Sequence, residues 1–397
     1  MIANIVHISL NARGGGERLA VATIKAISSM GMDVELSTIE KPDMALIRNA
    51  YGTGIDGDVK KIRTLNILQR YSPRSYSITV NTHGDILPFY HKDFTKKNAI
   101  TYCHYPIASY LIDCGDADYS GLLQNMCLLG MPPEVQNQYY DAARNAYVKM
   151  MLNSTILTNS EFSRKAISKT FDVDSTILHP PVDVDIFRKA CLASNIRDDS
   201  LLVISRFHPS KRIENAIHLA KLLRQNEVGT CMNIVGNMPL DGIGYFNYLS
   251  DLVRHYGLED FVRFEINVRF DRLLDLMRRS KVYVHPLPGE PFGISTVEGM
   301  SAGMIPVVPD IGGHTEFVPT KYQFHTFGQG VQAVAAALAA PASERIQLSH
   351  STQKYSDANY IKRFQQILVE VMDIGKKPLE SKPVISLSKR LSDSMAA

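Results

Sequence analysis

The stretch VYVHPLPGEPFGISTVEGMSAGMIPVVPD, Val282 to Asp310, reads as strand, loop, helix and strand. Val282 to His285 is a short β-branched and aromatic run, and Pro286, Pro288, Gly289 and Pro291 interrupt it. A helix is predicted from about Gly293, with Ile294, Val297 and Met300 at apolar helical spacing, and Ile305 to Val308 has the composition of a second buried strand. Glu290 lies in the loop and Glu298 in the helix. Between them, Phe292, Gly293 and Ile294 place main-chain N–H groups at a helix N-terminus, where the dipole favours an anion. An acid on either side of an anion site suits a ligand whose hydroxyls flank a diphosphate, as in a nucleotide sugar.

The Glu-x7-Glu spacing, the phenylalanine-glycine loop, the GMSAGMIPVV run and the following IGG loop together resemble the retaining GT-B glycosyltransferases of family 4, or group 1. The resemblance implies that Glu290 contacts hydroxyls of the donor sugar and Glu298 holds the ribose. It implies that the amides of Phe292, Gly293 and Ile294 bind the diphosphate and that Gly313, in the glycine-rich loop, lies near the donor sugar.

Working outward, strand and helix signals alternate almost throughout, which predicts α/β architecture with parallel sheets. The GT-B resemblance implies two Rossmann-like domains facing a central cleft. The expected division is an N-terminal acceptor domain at 1–180, a connector at 181–198 rich in proline and aspartate, and a donor domain at 199–356. A last helix over 357–375 is expected to cross back onto the N-terminal domain, and the Lys-, Pro- and Ser-biased tail at 376–397 reads as disordered.

The 397 residues are 45% hydrophobic and 21% charged, with a formal net charge of +3, so general polyanion or nucleic-acid binding is not expected. Five scattered cysteines, Cys103, Cys114, Cys127, Cys191 and Cys231, form no CxxC pair and fit a reducing compartment. No stretch approaches the roughly 20 apolar residues of a spanning helix, and the first residues do not read as a signal peptide. The expected location is the cytoplasm, including the cytoplasmic face of a membrane through peripheral contact. Arg13, Arg18 and the Tyr71–Tyr76 segment are candidate contacts with anionic lipid.

Gly14-Gly15-Gly16-Glu17-Arg18 follows the first strand candidate and opens a helix. Glycine permits close main-chain approach to a ligand. A dinucleotide fingerprint fails because Leu19 stands where a third glycine belongs. The segment resembles the family's GG-x-E-R element, which places Gly15 and Gly16 near the donor diphosphate and Arg18 toward the acceptor. SRFHPSKRIENAI, Ser205 to Ile217, carries Arg206 and Lys211 between a strand and a helix, the family's R-x4-K element. Two cations there oppose charge developing on a departing nucleoside diphosphate.

His104 in TYCHYP follows another strand and is a candidate hydrogen-bond donor to sugar or acceptor. The Y-x-H-x-P pattern resembles the dolichol-pathway α-1,2-mannosyltransferases, which implies GDP-mannose as donor and a polyprenyl- or dolichyl-linked glycan as acceptor. His83 in NTHGD is a second acceptor-side candidate. Four D-x-D patterns, Asp56/Asp58, Asp116/Asp118, Asp172/Asp174 and Asp183/Asp185, read as surface aspartates, so no metal or cofactor is expected. The expected reaction is hexose transfer with retention. The competing readings are a UDP-sugar transferase of surface polysaccharide or glycolipid, a sugar-nucleotide epimerase, a nicotinamide oxidoreductase and a non-catalytic nucleotide-sugar-binding module.

Overall fold

The computed structural model describes residues 1–11, 14–64, 75–84, 98–106, 134, 148–191, 197–239 and 242–374. Arg13, Tyr71, Cys114, Cys127, Asp116/Asp118 and the 376–397 tail lie outside the described residues.

Seven parallel strands form the first sheet: β1 (Ile2–Val6), β2 (Asp33–Thr38), β3 (Val59–Thr64), β4 (Ile78–Asn81), β5 (Ala99–Cys103), β6 (Thr155–Thr158) and β7 (Thr176–Ile177). Their order is β3-β2-β1-β4-β5-β6-β7. Six parallel strands form the second: β8 (Asp198–Ile204), β9 (Met232–Gly236), β10 (Val262–Ile266), β11 (Ser280–Val284), β12 (Ile305–Pro309) and β13 (Gln323–Phe324). Their order is β10-β9-β8-β11-β12-β13. The fold is GT-B: two Rossmann-like α/β domains.

Both sheets reverse their winding beside their first strand. β1 pairs β2 on one side and β4 on the other, with Ile5 opposite Leu36 and Val80. β8 lies between β9 and β11, with Leu202 opposite Asn233 and Tyr283. Such reversals leave a crevice beyond the carboxyl ends of the strands, where α/β sheets bind ligands. The loops that leave β1, β4, β8 and β11 carry most of the candidate residues.

The described helices are α1 (Gly15–Ser28), α2 (Met44–Tyr51), α3 (Glu161–Phe171), α4 (Val184–Cys191), α5 (Ile213–Gln225), α6 (Ile243–His255), α7 (Phe270–Arg279), α8 (Ile294–Ser301), α9 (Phe327–Leu338), α10 (Ala342–Ser351) and α11 (Asp357–Ile374). α1 buries Leu19, Ala20, Ile24 and Ile27 on one face, the spacing an amphipathic helix requires. α11 lies against that domain: Tyr360, Phe364, Ile367, Leu368 and Val371 share a core with Leu19, Ile24 and Ile27. The Tyr360 hydroxyl meets Thr23 Oγ1 at 2.7 Å. Each buried aromatic or large aliphatic side chain contributes roughly 1.5 to 3 kcal/mol, which fastens the chain end to the first domain.

The connector is more ordered than its prolines and aspartates indicate. It contains α4, whose Phe187 packs with Leu202, Leu276 and Met277. The apolar positions Val184 and Phe187 already carried that periodicity, but the flanking aspartates obscured it.

Candidate functional site

The site is built on loops at the carboxyl ends of both sheets. After β8 the chain turns through a 3₁₀ segment, Pro209–Lys211, in which His208 Nδ1 accepts from the Ser210 amide. This turn places Lys211 Nζ 3.3 Å from Glu290 Oε2. Arg206, earlier on the same loop, is exposed and has no ion-pair partner among the described residues.

After β11, the loop runs through Glu290 to Gly293 and enters α8. The Gly313 amide donates to the Glu290 carbonyl at 2.8 Å, and Gly289 donates to Ile311, so the loops after β11 and β12 are stitched together. A Cβ on Gly313 would lie 2.0 Å from the Pro291 carbonyl oxygen, so only glycine fits there. Gly293 has φ of 95°, a left-handed conformation that glycine adopts without strain. The Thr296 and Val297 amides bond Gly293 O, whereas those of Gly293, Ile294 and Ser295 have no acceptor among the described residues. Free amides at a helix start form an anion site. Phe292 is buried and braces the loop against His179, Phe317 and Tyr355.

The two acids differ electrostatically. Burial pushes the Glu290 carboxyl up, but the Lys211 ammonium and His285 more than offset this and hold it well below the usual carboxylate range. Glu298, on α8, contacts no cation among the described residues; burial pushes it up to about 7, with Arg18 opposing only in part. Glu290 is therefore a carboxylate at neutral pH, and Glu298 titrates there.

The first domain faces this loop directly. A Cβ on Gly15 would lie 2.3 Å from Ile294 Cδ1, so the start of α1 and the start of α8 approach closely. Ser160, which caps α3, donates from its hydroxyl to the Pro291 carbonyl at 2.6 Å. The Phe162 amide donates to Glu316 at 2.9 Å.

Behind Gly16 is a group of three histidines. A Cβ on Gly16 would be 3.8 Å from both His104 Nε2 and His7 Cε1. His7 and His83 rings meet edge to face at 5.1 Å, and His104 Nε2 lies 3.2 Å from the Thr82 carbonyl oxygen. Burial pushes His104 down to about 4 and His83 down to about 3, so both are neutral hydrogen-bonding groups at pH 7. His7 is buried, with Nδ1 3.1 Å from Thr82 Oγ1 and Nε2 3.6 Å from Glu17 Oε1. Glu17 also accepts from the Gly14 amide at 2.7 Å.

The structure thus brings Lys211, Glu290, Phe292, Gly293, Ile294, Gly313 and Gly15 together. Glu298 lies further along α8, Arg206 is on the loop after β8, and Gly16, His83 and His104 gather in the first domain. It places Arg18 differently. Its guanidinium pairs with Asp183 at 3.0 Å and Asp357 at 3.7 Å, and its side chain is 13% exposed. Arg18 ties α1 to the connector and to α11, so its charge is engaged at the domain junction. Asp183 is accordingly part of that junction and not a plain surface residue. Asp56 pairs with Arg48, Asp185 pairs with Arg188, and Asp172 ends α3. Among the described residues no group of three or more His, Cys, Asp or Glu is placed to hold a metal ion. Tyr76 bonds Arg63 and Glu35, so its hydroxyl faces protein. No described helix is long and apolar enough to cross a membrane.

Sequence reasoning missed His7 and His285, and it named Glu17 only as part of the GG-x-E-R element. His7 and His285 each follow immediately on a strand at a sheet reversal, β1 and β11. That position was the available signal, a polar ring ending an apolar run.

Residues 189–357 match the family model of glycosyl transferases group 1. A GDP-Man:Man(3)GlcNAc(2)-PP-Dol alpha-1,2-mannosyltransferase of Dictyostelium discoideum is 27% identical over 235 residues, 54% of this chain and 46% of that protein. The chain spans about half the length of the curated relatives it matches. Among solved structures, Anabaena Alr3699/HepE in complex with UDP and glucose aligns with a TM-score of 0.64 at 14% identity, covering 93% of this chain and 100% of that one. Sucrose-phosphate synthase from Thermosynechococcus elongatus aligns with a TM-score of 0.66 at 14% identity, covering 94% and 100%. The chain thus has the GT-B fold, and its residues 189–357 are similar to the glycosyl transferases group 1 family.

Proposed function

We propose that the protein transfers a hexose, mannose from GDP-mannose, to a lipid-linked glycan with retention of anomeric configuration. The observation that carries the donor site is the joining of Lys211 to Glu290 beside the free amides of Gly293, Ile294 and Ser295. It gathers a cation, an anion site and a buried carboxylate at one sheet reversal. The mannosyl donor and lipid-linked acceptor rest on the names of the similar mannosyltransferases.

In this reading the diphosphate lies against the start of α8, with Arg206 and Lys211 opposing its charge. Glu290 accepts hydrogen bonds from sugar hydroxyls, and Glu298 accepts from the ribose. As the anomeric carbon–oxygen bond breaks, the electron pair leaves with the diphosphate, and the sugar becomes oxocarbenium-like. Preorganised donors at the departing oxygen lower that barrier without reorganising. The acceptor hydroxyl attacks from the leaving-group face and gives its proton to a phosphate oxygen, which accounts for retention. His104 is neutral and its Nε2–H is taken by the Thr82 carbonyl, so its Nδ1 is left to accept a hydrogen bond from a hydroxyl of sugar or acceptor.

The test is transfer from radiolabelled GDP-mannose to a dolichyl-linked glycan and to the same glycan without lipid. Preferred transfer to the lipid-linked acceptor supports the proposal. Equal use of both removes the lipid, and activity confined to UDP sugars removes mannose.

A further inference from the structure

We infer that His285 is a positioning residue for Glu290, itself fixed by a hydrogen-bond chain through Tyr283 and Ser295. This rests on the donor-site reading of Glu290 and extends it to the residues behind that carboxylate.

His285 is 4% exposed and stands at the end of β11, where its amide donates to the Val307 carbonyl at 3.0 Å. The backbone position is therefore set by the sheet. Its Nε2 lies 3.4 Å from Glu290 Oε2, at ion-pair distance and with no hydrogen bond to any described residue, and its Nδ1 lies 3.0 Å from the Tyr283 hydroxyl. That hydroxyl lies 2.8 Å from Ser295 Oγ, in the first turn of α8. Tyr283 is fully buried. The His314 ring packs 5.4 Å away and turns its own Nε2 to the Pro309 carbonyl at 2.8 Å, so it does not compete for Glu290.

Proton counting leaves one arrangement for neutral His285. A carboxylate accepts only, so Nε2 carries the hydrogen toward Glu290. Nδ1 then accepts from the Tyr283 hydroxyl, and Tyr283 accepts from Ser295. Every hydroxyl proton is used, and the tautomer is fixed by the far end of the chain, as in ligand-orienting contacts at other sites.

Lys211 and His285 both address Oε2. Oε1 is left to accept from a sugar hydroxyl. A diphosphate competes with Glu290 for the Lys211 ammonium, whereas it does not compete for His285. His285 is thus the contact that keeps Glu290 in place as the diphosphate engages Lys211. The consequence is selective: His285 matters for the sugar half of the donor and not for the nucleotide half.

The experiment compares wild type with His285→Phe, His285→Gln and Tyr283→Phe. Calorimetric titration gives Kd for GDP and for GDP-mannose, with the UDP pair in parallel, and steady-state assays give kcat and KM. His285→Phe should bind the nucleoside diphosphate within about twofold of wild type, which also reports folding. It should lose about 10-fold or more in affinity for the nucleotide sugar and in kcat, on the scale of one removed polar contact to a charged group. His285→Gln retains an N–H donor toward Glu290 and should recover much of that loss, and Tyr283→Phe should fall between. Wild-type behaviour of His285→Phe, or equal loss for diphosphate and nucleotide sugar in both His285 variants, overturns the inference while leaving the donor site standing. Failure of wild type to bind any of these nucleotides overturns the donor-site reading, and this inference with it.

Discussion

Lys211 Nζ and Glu290 Oε2 lie 3.3 Å apart and join the loop after β8 to the loop after β11 across the reversal of the second sheet. The donor reading gives them opposite tasks, diphosphate charge for Lys211 and sugar hydroxyls for Glu290. Lys211→Ala and Glu290→Ala should each reduce kcat/KM on the order of 100-fold or more. Their double variant should cost less than the product of the two, because the residues act as one unit. Near-normal turnover of either single variant would remove the pair from the site.

Gly313 and Gly15 are both tightly surrounded, but by different atoms. A Cβ on Gly313 meets the Pro291 carbonyl oxygen at 2.0 Å and its carbon at 2.8 Å, so backbone must move. A Cβ on Gly15 meets the tip of Ile294, which can rotate. Gly313→Ala should therefore lower Tm by several degrees, consistent with about 1 to 3 kcal/mol of strain, and weaken nucleotide-sugar binding. Gly15→Ala should keep Tm within a degree or two. Thermal unfolding of the two variants separates the cases, and equal Tm values would contradict the geometry.

Glu298 makes a pH prediction. Its folded pKa of about 7 lies above the 4.5 of a free glutamate, so the folded protein holds this proton more tightly than the unfolded chain. The stability it contributes is present below about pH 4.5 and is lost as pH rises through 7. Between pH 5 and 8 wild type should lose on the order of 2 kcal/mol relative to Glu298→Gln, allowing for solvent at this partly buried group. The comparison with Glu298→Gln is needed because His83, His104 and His314 are pushed down by burial and act oppositely, losing stability as pH falls below 6.5. In the proposed donor reading ribose hydroxyls donate to this carboxylate, so nucleotide affinity should rise from pH 6 to 8 in wild type and stay flat in Glu298→Gln. Parallel unfolding curves for the two proteins at pH 5 and 8 would refute the assignment.

Arg18 distinguishes junction from acceptor site. Removing it leaves Asp183 and Asp357 facing each other without their cation, and burial already pushes Asp357 up. Arg18→Ala should destabilise the protein by about 1 to 3 kcal/mol in denaturant unfolding, less than a fully buried pair because both aspartates reach solvent. An unchanged stability with a raised acceptor KM would return Arg18 to the acceptor side.

The proposed donor half of the site is a local pattern because its residues are close in sequence. Glu290, Phe292, Gly293 and Glu298 fall within one strand-loop-helix unit, so local pattern already specifies their geometry. Lys211 and Arg206 were legible from position, after a strand and before a helix. The Arg18 pairings were not, because Asp183 and Asp357 are distant in sequence and no local rule links them to α1. His7 and His285 were passed over because a histidine at a strand end is also compatible with ordinary packing. What distinguishes them is the carboxylate each one faces, Glu17 or Glu290, and that is a tertiary fact. β3 and α2 leave little trace in the sequence, because Val59–Thr64 alternates weakly between charged and apolar residues and α2 buries only Ile47.

The most direct test of the account is calorimetric titration of GDP-mannose into wild type and Glu298→Ala, in EDTA, with UDP-glucose and NAD as comparators. Nucleotide-sugar binding that needs no metal, is lost in Glu298→Ala and is not matched by NAD is the predicted result. Binding of NAD in preference to every nucleotide sugar, or binding indifferent to Glu298, would contradict the placement of the donor at the start of α8.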